Sequence, residues 1–199
     1  MNKKIIGFLL VLGLLTVTLG CSTEPSEADL QKAQEYYNKG SNLMFQNKYD
    51  EAIEEFDKTL KIDPNYKEAW YYKGIALYFL GKYSEAIATY DKAIEIDPNY
   101  KEAWYYKGIA LGDLGKFSEA IAAFDKAIAI DPNLKEAWYG KGFALYYFRE
   151  YSDAIAAFDK AIAIDPNYKA AWYVKGLILE DLGRSAEAKV CFDKVEELG

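Results

Sequence analysis

The chain has 199 residues and is 51% hydrophobic, enough apolar material to order one domain, which excludes a disordered chain. Histidine is absent and only two cysteines occur, which excludes a histidine general base, a disulfide framework and a zinc site. The formal charge of −7 argues against a nucleic-acid partner, because phosphate backbones repel an acidic surface.

Residues 1–21 read MNKKIIGFLLVLGLLTVTLGC. Lys3 and Lys4 precede an uncharged apolar run from Ile5 to Leu19. That run is shorter than the roughly 17–25 residues a spanning helix needs, and it reads as a secretory leader outside the fold. Thr18-Leu19-Gly20-Cys21-Ser22 resembles a prokaryotic lipoprotein cleavage box. The resemblance implies a signal peptide over 1–20, cleavage before Cys21 and lipid on its sulfur. It further implies an exported protein, anchored at the outer face of the cell membrane; plain secretion is the alternative. Residues 21–32 then form the lipidated cysteine and a polar tether containing Pro25.

From residue 33 the chain repeats. Asp-Pro-Asn occurs at 63–65, 97–99, 131–133 and 165–167, and tryptophan at Trp70, Trp104, Trp138 and Trp172, each with a spacing of 34. Segments 67–100 and 101–134 agree at 27 of 34 positions, far beyond chance. Apolar residues within each segment recur at spacings of three and four, as in Ala86, Tyr90 and Ala93, so each is a pair of helices. Gly81 ends the first helix of its pair and Pro98 stops the second. Ser84 is expected to cap the second helix. Trp70 and Tyr90 are expected to fill the space left by Gly74 and Ala86.

These positions resemble the tetratricopeptide repeat, in which an aromatic, Gly, Ala, an aromatic, Ala and Pro recur in that order. Trp70, Gly74, Ala86, Tyr90, Ala93 and Pro98 carry the pattern in one unit; Trp104, Gly108, Ala120, Phe124, Ala127 and Pro132 carry it in the next. The resemblance covers 33–199 as five units, 33–66, 67–100, 101–134, 135–168 and 169–199. It implies an all-α fold, an α-solenoid wound as a right-handed superhelix. At the two ends, polar residues (Glu35, Asn42, Lys189, Glu196) replace the apolar ones that inner units stack together, so the array is expected to cap itself and stay monomeric. Cys191 reads as a packing residue.

In the family the first helix of each unit lines a concave groove. Transferring the groove positions gives Tyr37, Tyr71, Tyr105, Tyr139 and Tyr173, with Ile75, Ile109, Phe143, Tyr78, Phe79, Tyr146 and Tyr147 beside them. Glu68, Glu102 and Glu136 supply an acidic margin. Lys73, Lys107, Lys141 and Lys175 are expected on a solvated face. Tyr37 and Ser41 stand where the family's carboxylate clamp begins with Lys and Asn, so no such clamp is expected.

The expected function is therefore a non-enzymatic scaffold or adaptor for protein or peptide partners, with no cofactor and no metal. Apolar or aromatic anchors near basic charge fit the groove, and proline-rich segments are a second candidate. The alternative is a structural or assembly protein of the cell envelope that uses its repeats as a spacer.

Overall fold

The computed structural model describes residues 25–199. Ten helices alternate with short turns and no strand occurs among the described residues: α1 Glu27–Phe45, α2 Tyr49–Ile62, α3 Lys67–Phe79, α4 Tyr83–Ile96, α5 Lys101–Asp113, α6 Phe117–Ile130, α7 Lys135–Tyr147, α8 Tyr151–Ile164, α9 Lys169–Asp181 and α10 Ser185–Glu197. They pair as five two-helix units stacked in chain order, the expected α-solenoid. None of the described helices is long and apolar enough to cross a membrane.

Helix α1 begins inside the segment expected to be a tether. Ser26 caps it: its Oγ accepts the Asp29 amide at 3.2 Å, and the Asp29 carboxylate accepts the Ser26 amide at 3.2 Å. This reciprocal box satisfies free amides at the helix start, so order reaches back to Glu27. Cys21 and the leader lie outside the described residues.

Turns inside the units follow one geometry. Gly81, Gly115 and Gly183 have φ of 73° to 74°, where a side chain is strained. Asn47 and Arg149 adopt the same conformation at φ 58° and 67°, so the turn is dictated by helix packing even where glycine is missing. Ser84 is not a cap. Helix α4 starts one residue earlier, after Lys82, and Ser84 is exposed in the first turn without a capping bond. Between units, Asp97 Oδ1 accepts the Asn99 amide at 3.0 Å while Pro98 prevents a further helical bond.

The core is a row of aromatic rings on glycines. Ideal Cβ atoms placed on Gly40, Gly74, Gly108, Gly142 and Gly176 would stand 2.5–2.8 Å from the rings of Phe56, Tyr90, Phe124, Phe158 and Phe192. Only a bare backbone lets the two helices of a unit approach this closely. The alanines Ala69, Ala76, Ala103, Ala110, Ala137, Ala144 and Ala171 are buried where units meet, whereas Glu35, Asn42, Lys189 and Glu196 are exposed at the ends. Cys191 is packed in the last cluster at 2% exposure, and burial pushes its thiol pKa up, away from the reactive thiolate.

The tryptophans do a different job from the one expected of them. Each is half-buried between units, and the ring on the second helix, such as Tyr90 over Gly74, covers the glycine in place of the tryptophan. Trp70, Trp104, Trp138 and Trp172 donate their indole N–H to the carbonyls of Pro64, Pro98, Pro132 and Pro166 at 2.9–3.0 Å. Each indole thus clips its unit to the turn before it. The lysines expected on a solvated face complete that clip. Lys73, Lys107, Lys141 and Lys175 lie 5.2–5.6 Å from the indole centroids. Their Nζ atoms pair with Asp57, Asp91, Asp125 and Asp159 of the preceding unit at 2.5–2.6 Å. The ion pair lies 16 residues back in sequence, beyond the reach of a helix-face reading.

Candidate functional site, an aromatic inner wall

The first helices of adjacent units, α1 with α3, α3 with α5 and α5 with α7, touch one another, while the second helices do not to the same extent. A stack that is closer on one side curves toward it, so the first helices line the inner wall. On that wall each early tyrosine is partly covered by the residue that ends its unit. Tyr66 lies 4.9 Å from Tyr37, Tyr100 5.1 Å from Tyr71, and Tyr168 5.2 Å from Tyr139, centroid to centroid. Leu134 takes this place in the unit of Tyr105, and among the described residues Tyr173 is 50% exposed.

A second layer of tyrosine divides the wall. Tyr72 lies over Phe56 at 6.3 Å and Tyr106 over Tyr90 at 6.3 Å and Tyr71 at 5.7 Å. Under this roof Tyr71 and Ile75 are 8% and 7% exposed. They were expected to line the groove and instead belong to the core. Tyr37, Tyr105, Tyr139, Ile109, Phe143, Tyr78 and Tyr146 are half-buried along the wall. Phe79 and Tyr147 are exposed, and each stacks on the first residue of the previous unit's second helix. Phe79 meets Tyr49 at 5.1 Å, and Tyr147 meets Phe117 at 5.2 Å.

Where the tyrosine roof is missing, a hollow opens. Gly140 occupies the position of Tyr72 and Tyr106, and Gly112 the position of Tyr78 and Tyr146. The hollow holds about 260 Å³ and is lined by Tyr105, Ile109, Gly112, Asp113, Phe117, Tyr139, Phe143 and Tyr147, with Gly108, Phe124, Gly140 and Ala144 beneath. Sequence reasoning missed Gly140, Tyr72 and Tyr106, although the change from tyrosine to glycine between near-identical units was a readable signal.

Electrostatics keep the phenols neutral. Burial, helped by the charges of neighbouring groups including Glu68, pushes Tyr37 up to about 12. Tyr168 rises to about 12 through burial, with Tyr139 and Glu136 adding to it. Burial likewise raises Tyr139 and Tyr105. Each therefore offers a ring face and a protonated hydroxyl, a surface suited to peptide contact and without an activated nucleophile.

Models of the tetratricopeptide repeat match residues 37–101, 102–134, 136–168 and 157–190. The chain belongs to the tetratricopeptide repeat family. Among solved structures, MamA 41-end from Desulfovibrio magneticus RS-1 is 28% identical with a TM-score of 0.79, covering 84% of this chain and 94% of that one. A further MamA crystal structure is 31% identical with a TM-score of 0.76, covering 80% and 93%. YrrB, described as a tetratricopeptide repeat protein with an unusual peptide-binding site, is 23% identical with a TM-score of 0.70 over 86% and 92%, a likeness of fold. Comparison with curated proteins yields no match. This tetratricopeptide repeat chain is thus a helical solenoid of the kind that serves protein interaction.

Proposed function

We propose that this protein is a non-enzymatic scaffold that holds an extended segment of a protein partner against the inner wall, from the outer face of the cell membrane. The observation that supports this most is the uncovered aromatic series Phe79, Tyr147 and Tyr173, at 58%, 56% and 50% exposure along one wall. Rigid exposed rings lose little conformational freedom on binding and bury large area, which is how interface anchors work. The margin of Glu68, Glu102 and Glu136 favours a partner with basic residues. Export and lipid on Cys21 are part of the same reading, resting on the leader sequence. In the second reading, a spacer in the cell envelope, the cross-unit pairs from Lys73–Asp57 to Lys175–Asp159 serve rigidity alone.

The test is partner capture from detergent-solubilised envelope with the full chain and with the triple variant Phe79→Ala, Tyr147→Ala and Tyr173→Ala. A scaffold captures a defined partner, and the triple variant loses it while its helical signal is retained. Equal capture by both proteins refutes the groove and favours the spacer. Mass spectrometry of the native protein reads the anchor: a mature N-terminus other than a diacylated Cys21 refutes it.

A further inference from the structure

Two departures from the repeat coincide at the interface between the third and fourth units. Gly140 removes a tyrosine of the roof, and Gly112 removes one from the rim. Both losses face the same hollow of about 260 Å³. A water's share of liquid is about 30 Å³ and small-molecule sites run to roughly 300–1,000 Å³, so the space suits one large side chain.

The lining grades from carbon to charge. Phe124 and Ala144 are 3% and 4% exposed and form the floor, with Ile109 and Phe143 above them. A guanidinium or ammonium pressed to this floor would shed its water and find no hydrogen-bond acceptor among these side chains, so the floor favours an apolar group. The rim is different. Asp113 is exposed at the mouth, and its Oδ2 accepts the Tyr78 hydroxyl at 2.6 Å. Among the described residues no lysine or arginine pairs with Asp113, whereas Asp91, Asp97, Asp125 and Asp131 nearby in sequence each hold a lysine at 2.5–2.6 Å. An apolar cup with an unneutralised carboxylate at its lip calls for an apolar side chain with a cation next to it.

We propose, building on the groove reading, that this hollow is the pocket that selects the partner's sequence. It takes one leucine- or phenylalanine-sized side chain from an extended segment, and Asp113 takes the charge of an adjacent lysine or arginine. Tyr72 and Tyr106 roof the two earlier interfaces and Val174 packs at that place in the last one, so a glycine stands in the roof only between the third and fourth units, and the anchor is read there.

Fluorescence anisotropy of detergent-solubilised full chain tests this with labelled glycine-serine heptapeptides carrying a central Leu-Lys, Phe-Lys, Ala-Lys or Leu-Glu pair. Leu-Lys or Phe-Lys binds at least tenfold tighter than Ala-Lys, the margin expected for burying one such side chain. Gly112→Tyr copies the residue of the flanking units and fills the cup. An ideal Cβ at this position has no atom within 4 Å, and the variant, its helical signal checked by circular dichroism, loses tenfold or more in affinity for Leu-Lys. Asp113→Asn keeps the preference for leucine over alanine and loses the preference for lysine over glutamate. The pocket is overturned if the wild-type chain binds Ala-Lys as well as Leu-Lys and Phe-Lys, or if Gly112→Tyr binds like the wild type. A partner captured equally by wild type and Gly112→Tyr but lost by the triple variant overturns the pocket while leaving the groove standing.

Discussion

Helix α5 carries two glycines one helical turn apart whose replacement by alanine should have opposite effects. At Gly108 the new Cβ would lie 2.8–2.9 Å from the Phe124 ring, which is 3% exposed and has little room to retreat. Overpacking of this kind costs about 1–3 kcal/mol. Alanine returns up to about 1 kcal/mol of helix propensity, so Gly108→Ala is destabilised by up to about 2 kcal/mol. At Gly112 the Cβ meets nothing within 4 Å, and only the propensity gain remains, so that variant is stabilised by up to about 1 kcal/mol. The two variants should therefore differ by about 1–3 kcal/mol, the overpacking alone. Urea denaturation followed by circular dichroism measures this as a shift in midpoint at constant slope. Finding Gly108→Ala as stable as Gly112→Ala would refute the claim that ring-on-glycine contact sets the distance between paired helices.

The Tyr90 hydroxyl is buried without a hydrogen-bond partner, and the same position holds Phe56, Phe124, Phe158 and Phe192 in the other units. Tyr90→Phe should raise stability by about 1 kcal/mol, read as a higher melting temperature; a loss of similar size would mean the hydroxyl is satisfied in solution. The inner-wall tyrosines also predict alkaline unfolding. Their folded pKa values lie above the ordinary 10, so the neutral form is the one the fold favours. Their contribution is complete below pH 10 and is lost as pH rises toward about 12, the value of Tyr37 and Tyr168. Absorbance titration of tyrosinate should show ionisation and loss of helix together in that window, and ionisation near pH 10 with the helices intact would contradict it.

How much of the groove was legible differs residue by residue. Tyr139, Phe143 and Tyr147 were found from repeat position alone, because a helix face repeats with the unit. Tyr71 occupies the same repeat position as Tyr139 yet is buried, because Tyr106, 35 residues later, lies across it. Tyr139 has no such neighbour, since Val174 stands at that place in the last unit. The lysines Lys73 to Lys175 were assigned to solvent for the same reason: their partners belong to the unit before.

The period of 34, the small and aromatic residues at fixed places in every unit and the polar ends are spacings along the chain, and such spacing determines the solenoid from sequence alone. Which tyrosines are covered, where the roof fails and which carboxylate is left without a cation were decided only when units stacked. Exposure depends on what the next unit lays over a side chain, and two glycines at tyrosine positions, Gly112 and Gly140, turn a sealed interface into a cup.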